Sequence, residues 1–276
     1  MNVLRSAVIA FSMYSRIPMP QVRFDEKSRS FVLLLFPIVG AAEGALVLAL
    51  FALLRALKAP PLLSGALLMA CPFAVVGFIH LDGFLDTSDA LGSYRTREER
   101  LRILKDVHAG SAAVLSCAVL CILQTAAWSS IGSVEKAAAV SAGFVLSRAL
   151  SALSLTILPN ARGRESSVAS FTEFRERGGT ARFRRLLCLI LWIAASALLM
   201  CLFLAASPEG TGSSAVPSAL SGARLLAAAI PPLAEILCGF LCMARMKAAF
   251  GGMTGDLAGY LLTVCEAAAL VLTALL

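Results

Sequence analysis

"FVLLLFPIVGAAEGALVLALFALL", residues 31–54, contains a single charged residue, Glu43. A helix of that length rises about 36 Å, enough to cross the roughly 30 Å of hydrocarbon in a bilayer. Six further runs of the same kind occur at about 61–80, 110–131, 137–158, 186–206, 225–244 and 257–276. Lipid offers no partner to a free N–H or C=O, and none of these runs alternates as a barrel strand must, so each is expected to be helical. The expected fold class is therefore all-α, a polytopic integral membrane bundle of about seven transmembrane helices. The composition agrees: 59% of the residues are hydrophobic, only 15% are charged and the mean hydropathy is +0.84, which excludes an ordinary soluble domain.

Neither a repeat nor a long linker divides the chain, so residues 1–276 are read as one membrane-embedded domain. The opening "MNVLRSAVIAFSMYSRIPMP" is interrupted by Arg5, Arg16, Pro18 and Pro20 and shows no small-residue cleavage site. Residues 1–30 are accordingly read as a retained interfacial segment rather than a signal peptide. All eight cysteines fall inside the apolar runs. The pairs Cys117/Cys121 and Cys238/Cys242 lack the further ligands of a zinc site, and buried cysteine packs as a small apolar residue.

Sidedness comes from the basic residues. Nineteen of the 24 Lys and Arg lie in the N-terminal segment and in the loops at 81–109, 159–185 and 245–256; Arg55, Lys58, Lys136 and Arg224 lie on the other side, and Arg148 is within a run. The positive-inside rule then puts the N-terminus and those three loops in the cytoplasm. This asymmetry accounts for the net charge of +7 without a nucleic-acid partner. The opposite loop, rich in Gly, Ser, Pro and Ala after residue 206, carries no recognisable chemistry.

Against that basic background stands "HLDGFLDTSDALG", residues 80–92. If the second helix continues past His80, Asp82, Asp86 and Asp89 at i, i+4 and i+7 fall within roughly 60° of arc. Two carboxylates some 5 Å apart repel by about 3 kcal/mol at an effective dielectric near 20, and no basic residue stands at i±3 or i±4 to relieve them. A hard divalent cation, Mg²⁺ or Mn²⁺, suits such a set, because Mg²⁺ takes one or two carboxylates and leaves its other positions to water and phosphate. Gly83 keeps the same helix slim enough for a ligand to approach. The pattern also suits a solvated helix end at which Asp89 merely caps the next segment.

The second candidate element is "FGGMTGDLAGYLLTVCE", residues 250–266. Gly251, Gly252 and Gly255 permit a tight turn, Thr254 is a candidate N-cap, and Asp256 opens the last helix, a combination suited to phosphate at a helix N-terminus. Asp256 is a further candidate metal ligand. Glu266 lies inside the run and, with Glu43, Arg148 and Glu235, is expected to face the bundle interior. In "PNARGRESS", residues 159–167, Arg162 and Arg164 are candidate phosphate grips, while the remaining arginines of that loop suit anionic headgroups. His80, beside the acidic stripe, is a candidate acid/base or an interfacial hydrogen-bonding residue.

These segments, together with "SRIP" at 15–18, "FPIVGAAEGA" at 36–45, "ERLRILKDVHAGSAAVL" at 99–115 and "SRA" at 147–149, resemble the adenosylcobinamide-GDP ribazoletransferase (cobalamin synthase) family, in family order along almost the whole chain. The resemblance implies transfer of adenosylcobinamide phosphate from adenosylcobinamide-GDP to α-ribazole or α-ribazole 5′-phosphate, with release of GMP, in a prokaryotic cytoplasmic membrane. It implies Mg²⁺ as cofactor, for which Asp82 and Asp86, with Asp89 and Asp256, are the candidate ligands. Asp82, Asp86, Asp89 and His80 become the catalytic candidates, with Asp89 as the base for the acceptor hydroxyl. Lys105, Asp106, Arg162, Arg164, Gly251, Gly252, Thr254, Gly255 and Glu266 become the substrate-binding ones. The chain departs from the family pattern at Val107–His108 and in the glycine spacing of "ARGRESS". The rival readings are a CDP-alcohol phosphotransferase-like or prenyltransferase-like enzyme, or a cation transporter using the interior acids as a relay. A homodimer embedded in the bilayer is the expected assembly.

Overall fold

The computed structural model describes residues 2–22, 26–163, 179–207 and 222–276. Arg164 and most of the 159–185 loop lie outside the described residues. Those described form helices α1 (Asn2–Tyr14), α2 (Glu26–Ala56), α3 (Pro61–Val76), α4 (Ile79–Gly92), α5 (Arg97–Ile103), α6 (Ser111–Ser130), α7 (Val134–Ile157), α8 (Gly179–Ala206), α9 (Gly222–Phe250) and α10 (Gly255–Leu275). Among them no strand occurs beyond one isolated bridge, between Asn160 and Met253.

Six of these helices, α2 and α6 to α10, are long and apolar enough to cross a membrane. The second expected run differs from its prediction. Its helix α3 ends at Val76 and the chain turns by 98° into α4, so the candidate crossings number six, or seven if the bent pair is counted as one. At the end of α3 the Arg16 N–H donates to the Val75 carbonyl at 2.8 Å, and at the end of α2 the Arg55 guanidinium donates to the Gly132 carbonyl at 2.5 Å. The segment read as a loop at 81–109 is largely helical, α4 and α5, and it meets the residues after α7 through Arg162 and the Leu104 carbonyl and the α9–α10 turn through Arg97 beside Gly251.

At the centre stands α7, nearly every residue of which is buried from Lys136 to Leu155, with α2, α8, α9 and α10 packed around it. Small residues set the closest approach. A Cβ on Gly40 would meet the Phe144 carbonyl, and one on Gly44 the Ser141 carbonyl, so the Gly-x-x-x-Gly spacing of α2 brings its backbone onto that of α7. Glu43, between those glycines, is thereby delivered to Arg148, which is fully buried. The Arg148 guanidinium pairs with Glu43 on one side and at 2.6 Å with Glu266 on the other, and also donates to the Phe144 carbonyl at 2.9 Å. Ser147 donates to the same Glu266 oxygen at 2.9 Å. The interior placement expected for Glu43, Arg148, Glu235 and Glu266 is what the fold shows, although Glu235 has neither oxygen partnered.

The N-terminal segment contains a helix, α1, which lies along α2 with Ser6, Ile9 and Ala10 buried between them.

Candidate active site at one end of the bundle

The acidic stripe owes its position to the break before it. Gly77 and Phe78 both take positive φ, 72° and 65°, a conformation that glycine adopts freely and phenylalanine rarely does. Arg16 holds the break: besides the bond to Val75, its guanidinium lies over the Phe78 ring at 5.9 Å. Within α4 the three aspartates keep the predicted single stripe, the helix being continuous from Ile79 to Gly92.

The slim flank of α4 beside the stripe carries α10 instead of a ligand. A Cβ on Gly83 would stand 2.6 Å from the Asp256 carbonyl oxygen, a Cβ on Gly259 would stand 3.3 Å from the His80 Cα, and Phe84 stacks on Tyr260 with ring centroids 5.4 Å apart. This contact places the N-terminus of α10 beside the acidic stripe. Thr254 caps that N-terminus as expected, its hydroxyl accepting the Leu257 N–H at 3.3 Å. Gly251 and Gly252, read as a phosphate cradle, serve the backbone first. Gly251 has φ +78°, a Cβ there would run into the Arg97 guanidinium, and a Cβ on Gly252 would run into the Pro159 carbonyl. The Met253 N–H donates to Pro159 O at 2.8 Å and Ala161 N–H to Met253 O at 3.0 Å, which pins the end of α7 to the α9–α10 turn.

That pin delivers Arg162. Its guanidinium donates to the Leu104 carbonyl at 2.8 Å and pairs with Asp256 at 3.2 Å. Asp256 is thus not a free metal ligand; it has a cation beside it that local sequence neighbours did not reveal. Asp82 is exposed, while Asp86 and Asp89 are half-buried. Asp89 sits with its carboxylate against Gly110, just before α6. Asp86 feels the charge of Asp82, Asp256 and Asp89: burial foremost, then the repulsion of Asp82 and Asp256, pushes its carboxyl up to about 6, with Arg162 acting in the opposite direction. Among the described residues, however, no three acidic, imidazole or thiol side chains converge closely enough to enclose a cation by themselves.

Lys105 and Asp106 come directly after the Leu104 carbonyl that Arg162 grips, and both are exposed. The Asp106 carboxylate accepts the His108 N–H at 3.0 Å and faces His108 Nδ1 at 2.9 Å; those bonds hold its carboxyl below the ordinary range. Glu266 is ten residues beyond Asp256 on α10, about 15 Å along the axis, and is committed to Arg148 and Ser147 rather than brought to the acidic rim.

His80 lies behind the rim. It is buried, its ring 6.4 Å from that of Tyr14 and 5.8 Å from that of Phe36, with Nε2 unpartnered. It lines a cavity of about 230 Å³ with Met13, Tyr14, Phe36, Ser151 and Leu155, open at the other end to Asp82, Gly255 and Asp256. Sequence reading assigned no role to Tyr14, Phe36, Arg16 or Ser151. The segments "SRIP" and "FPIVGAAEGA" marked that neighbourhood, but nothing in one dimension tells that α1 and α2 reach α4.

A model of the cobalamin-5-phosphate synthase family matches residues 6–274 of the chain. An adenosylcobinamide-GDP ribazoletransferase of Lachnoclostridium phytofermentans is 33% identical over 270 residues, spanning 96% of this chain and 92% of that protein. One from Clostridium perfringens is 30% identical over 268 residues, spanning 96% of both. A third, from Azorhizobium caulinodans, is 30% identical over 278 residues, spanning 98% of this chain and 95% of that protein. No solved structure matches the chain.

Proposed function

The chain belongs to the cobalamin-5-phosphate synthase family, and from that premise we propose a role for each group at the acidic end of the bundle. The chain is a transferase of cobalamin biosynthesis that joins adenosylcobinamide-GDP to α-ribazole or its 5′-phosphate and releases GMP. The observation that carries this reading is the match of both family model and full-length relatives across almost the entire chain, including the α4 stripe and the α10 N-terminus. A transporter reading is not favoured: two of the three interior acids it would use as a relay, Glu43 and Glu266, are tied to Arg148.

The donor's diphosphate belongs at the junction of α4, α10 and the 159–163 segment. Asp82 and Asp86 are the side chains that would hold Mg²⁺, with Asp89 and Asp256 as further oxygens when Arg162 turns to phosphate. The donor set fits this ion: hard carboxylate oxygens, too few to enclose a cation by themselves, which suits a metal that keeps most positions for water and phosphate. When bound, Mg²⁺ supplies neutralisation of the charge that develops on the departing GMP. Arg162 grips a phosphate oxygen at the site's inner edge. Gly255, exposed at the start of α10, offers a backbone N–H at a helix N-terminus to the same group. Asp89 accepts the proton of the attacking hydroxyl, and the remaining work is alignment for in-line displacement. With the basic-rich end facing inward, the site opens to the cytoplasm of a prokaryotic cell across its inner membrane.

Purified chain in lipid nanodiscs, given both substrates and Mg²⁺, releases GMP; excess EDTA stops the release and added Mg²⁺ restores it. No GMP with Mg²⁺ present sinks the reaction, and undiminished GMP in EDTA sinks the metal assignment alone.

A further inference from the structure

The cavity behind the acidic rim carries an inference that rests on the proposed function and deepens it. We infer that the pocket between α1, α2, α4 and α7 is the seat of the acceptor's aromatic base, with His80 Nε2 as its one buried polar contact.

Size comes first. At about 230 Å³ the cavity is below the roughly 300–1,000 Å³ of sites that take a whole drug-sized ligand. A bicyclic aromatic ring fits such a space, and a corrin macrocycle does not, so the bulky donor group stays outside and only the smaller substrate enters. Wall chemistry comes second. Tyr14, Phe36, Met13 and Leu155 supply an apolar, partly aromatic surface suited to a flat ring. The Ser151 hydroxyl is already spent on the Ala258 carbonyl at 3.2 Å.

The decisive feature is the count of free polar atoms. His80 is 6% exposed, and its Nε2 has no partner. A buried imidazole nitrogen left unpaired is costly, so this one calls for a ligand atom. The other nucleobase in the reaction, guanine, presents several donors and acceptors on its edges, and one nitrogen would leave most of them unpaired. The base of α-ribazole is a benzimidazole: one ring nitrogen bears the ribose and one is free. A single free nitrogen answers the one buried wall atom that lacks a partner, His80 Nε2, in the tautomer that carries its proton there. The ribose then lies at the open end, with its hydroxyls toward Asp82 and Asp256, where the donor's phosphate is expected.

His80 is on this reading a binding residue, and substitutions there act on one substrate only. In nanodisc-held full-length chain, with GMP release measured at saturating donor, His80→Ala raises the KM for α-ribazole about tenfold, the scale of one lost buried hydrogen bond. The KM for adenosylcobinamide-GDP stays within about twofold, which also shows that the variant is folded. His80→Gln, which keeps a donor, recovers part of the loss. Leu155→Ala enlarges the pocket and shifts preference toward a nucleoside with a tricyclic base. A raised donor KM, or a fall in kcat with the acceptor KM unchanged, overturns the inference. If the unmodified chain releases no GMP, the proposed function fails separately; equilibrium binding of radiolabelled α-ribazole to the unmodified and His80→Ala chains then decides, equal binding overturning the inference and weakened binding upholding it.

Discussion

Two groups of charges divide the molecule. In the middle of the bundle Arg148 is enclosed by Glu43, Glu266, Ser147 and the Phe144 carbonyl, with the Phe36 and Phe144 rings 5.8 and 5.7 Å from its guanidinium carbon. At the end of the bundle Asp82, Asp86 and Asp89 line one stripe of α4 beside Asp256, and Arg162 pairs with Asp256 and acts on Asp86. Charge in the interior is tied into a fixed arrangement because hydrocarbon gives it no alternative. Charge at the rim is left in excess because water tolerates it until a ligand arrives. The first group holds helices together; the second is kept ready for something that is not protein.

Substitution of the rim tests this division most severely. Asp82→Asn is expected to lower the rate of GMP release by about 10⁴-fold or more, some 5 kcal/mol of barrier, while leaving thermal unfolding in detergent unchanged or slightly improved, since a repelling charge has gone. Retained turnover, or a clear loss of stability, would show that Asp82 belongs with the structural charges instead. The interior should respond in the reverse sense. Arg148→Met leaves Glu43 and Glu266 buried without a cation and should cost about 3–5 kcal/mol of stability, read as a fall in unfolding midpoint and in yield. A variant that melts normally yet releases no GMP would move the interior cluster into the chemistry.

How much of this division could be read from the chain depends on range. The apolar runs, their sidedness and the stripe of Asp82, Asp86 and Asp89 are local patterns of period and spacing, and the structure keeps the runs and the stripe. The break at Gly77–Phe78 was not legible, because the left-handed Phe78 is braced by Arg16, some sixty residues away in sequence. Gly83 and Gly252 were read as room for a ligand, whereas one accommodates α10 and the other the Pro159 carbonyl. A glycine signals close approach without saying of what. Gly252→Ala sharpens the point: the added methyl must push the α9–α10 turn off the 159–161 segment, with an expected loss of about 1–3 kcal/mol in stability and a rise in donor KM as Arg162 is displaced. A stable variant whose kinetics alone change would return Gly252 to the role of a phosphate cradle.

The smallest expected effect falls on the residue that joins the two regimes. Arg162 brings a cation to the rim, but its pair with Asp256 is partly exposed, at 21% and 34% of the side chains, and such pairs contribute about 0–1 kcal/mol. Arg162→Gln should therefore hardly move the unfolding midpoint. Its removal takes away the charge that competes with a divalent ion for Asp256 and that opposes the raised carboxyl of Asp86. Titration of the GMP-release rate with Mg²⁺ should then show half-saturation at a several-fold lower concentration, together with a higher KM for the donor, whose phosphate has lost its grip. Both shifts in opposite directions require Arg162 to alternate between carboxylate and phosphate. If the Mg²⁺ requirement rises together with donor KM, the guanidinium is instead a fixed brace for Asp256, and the rim is less open to ligand exchange than its unmatched charge implies.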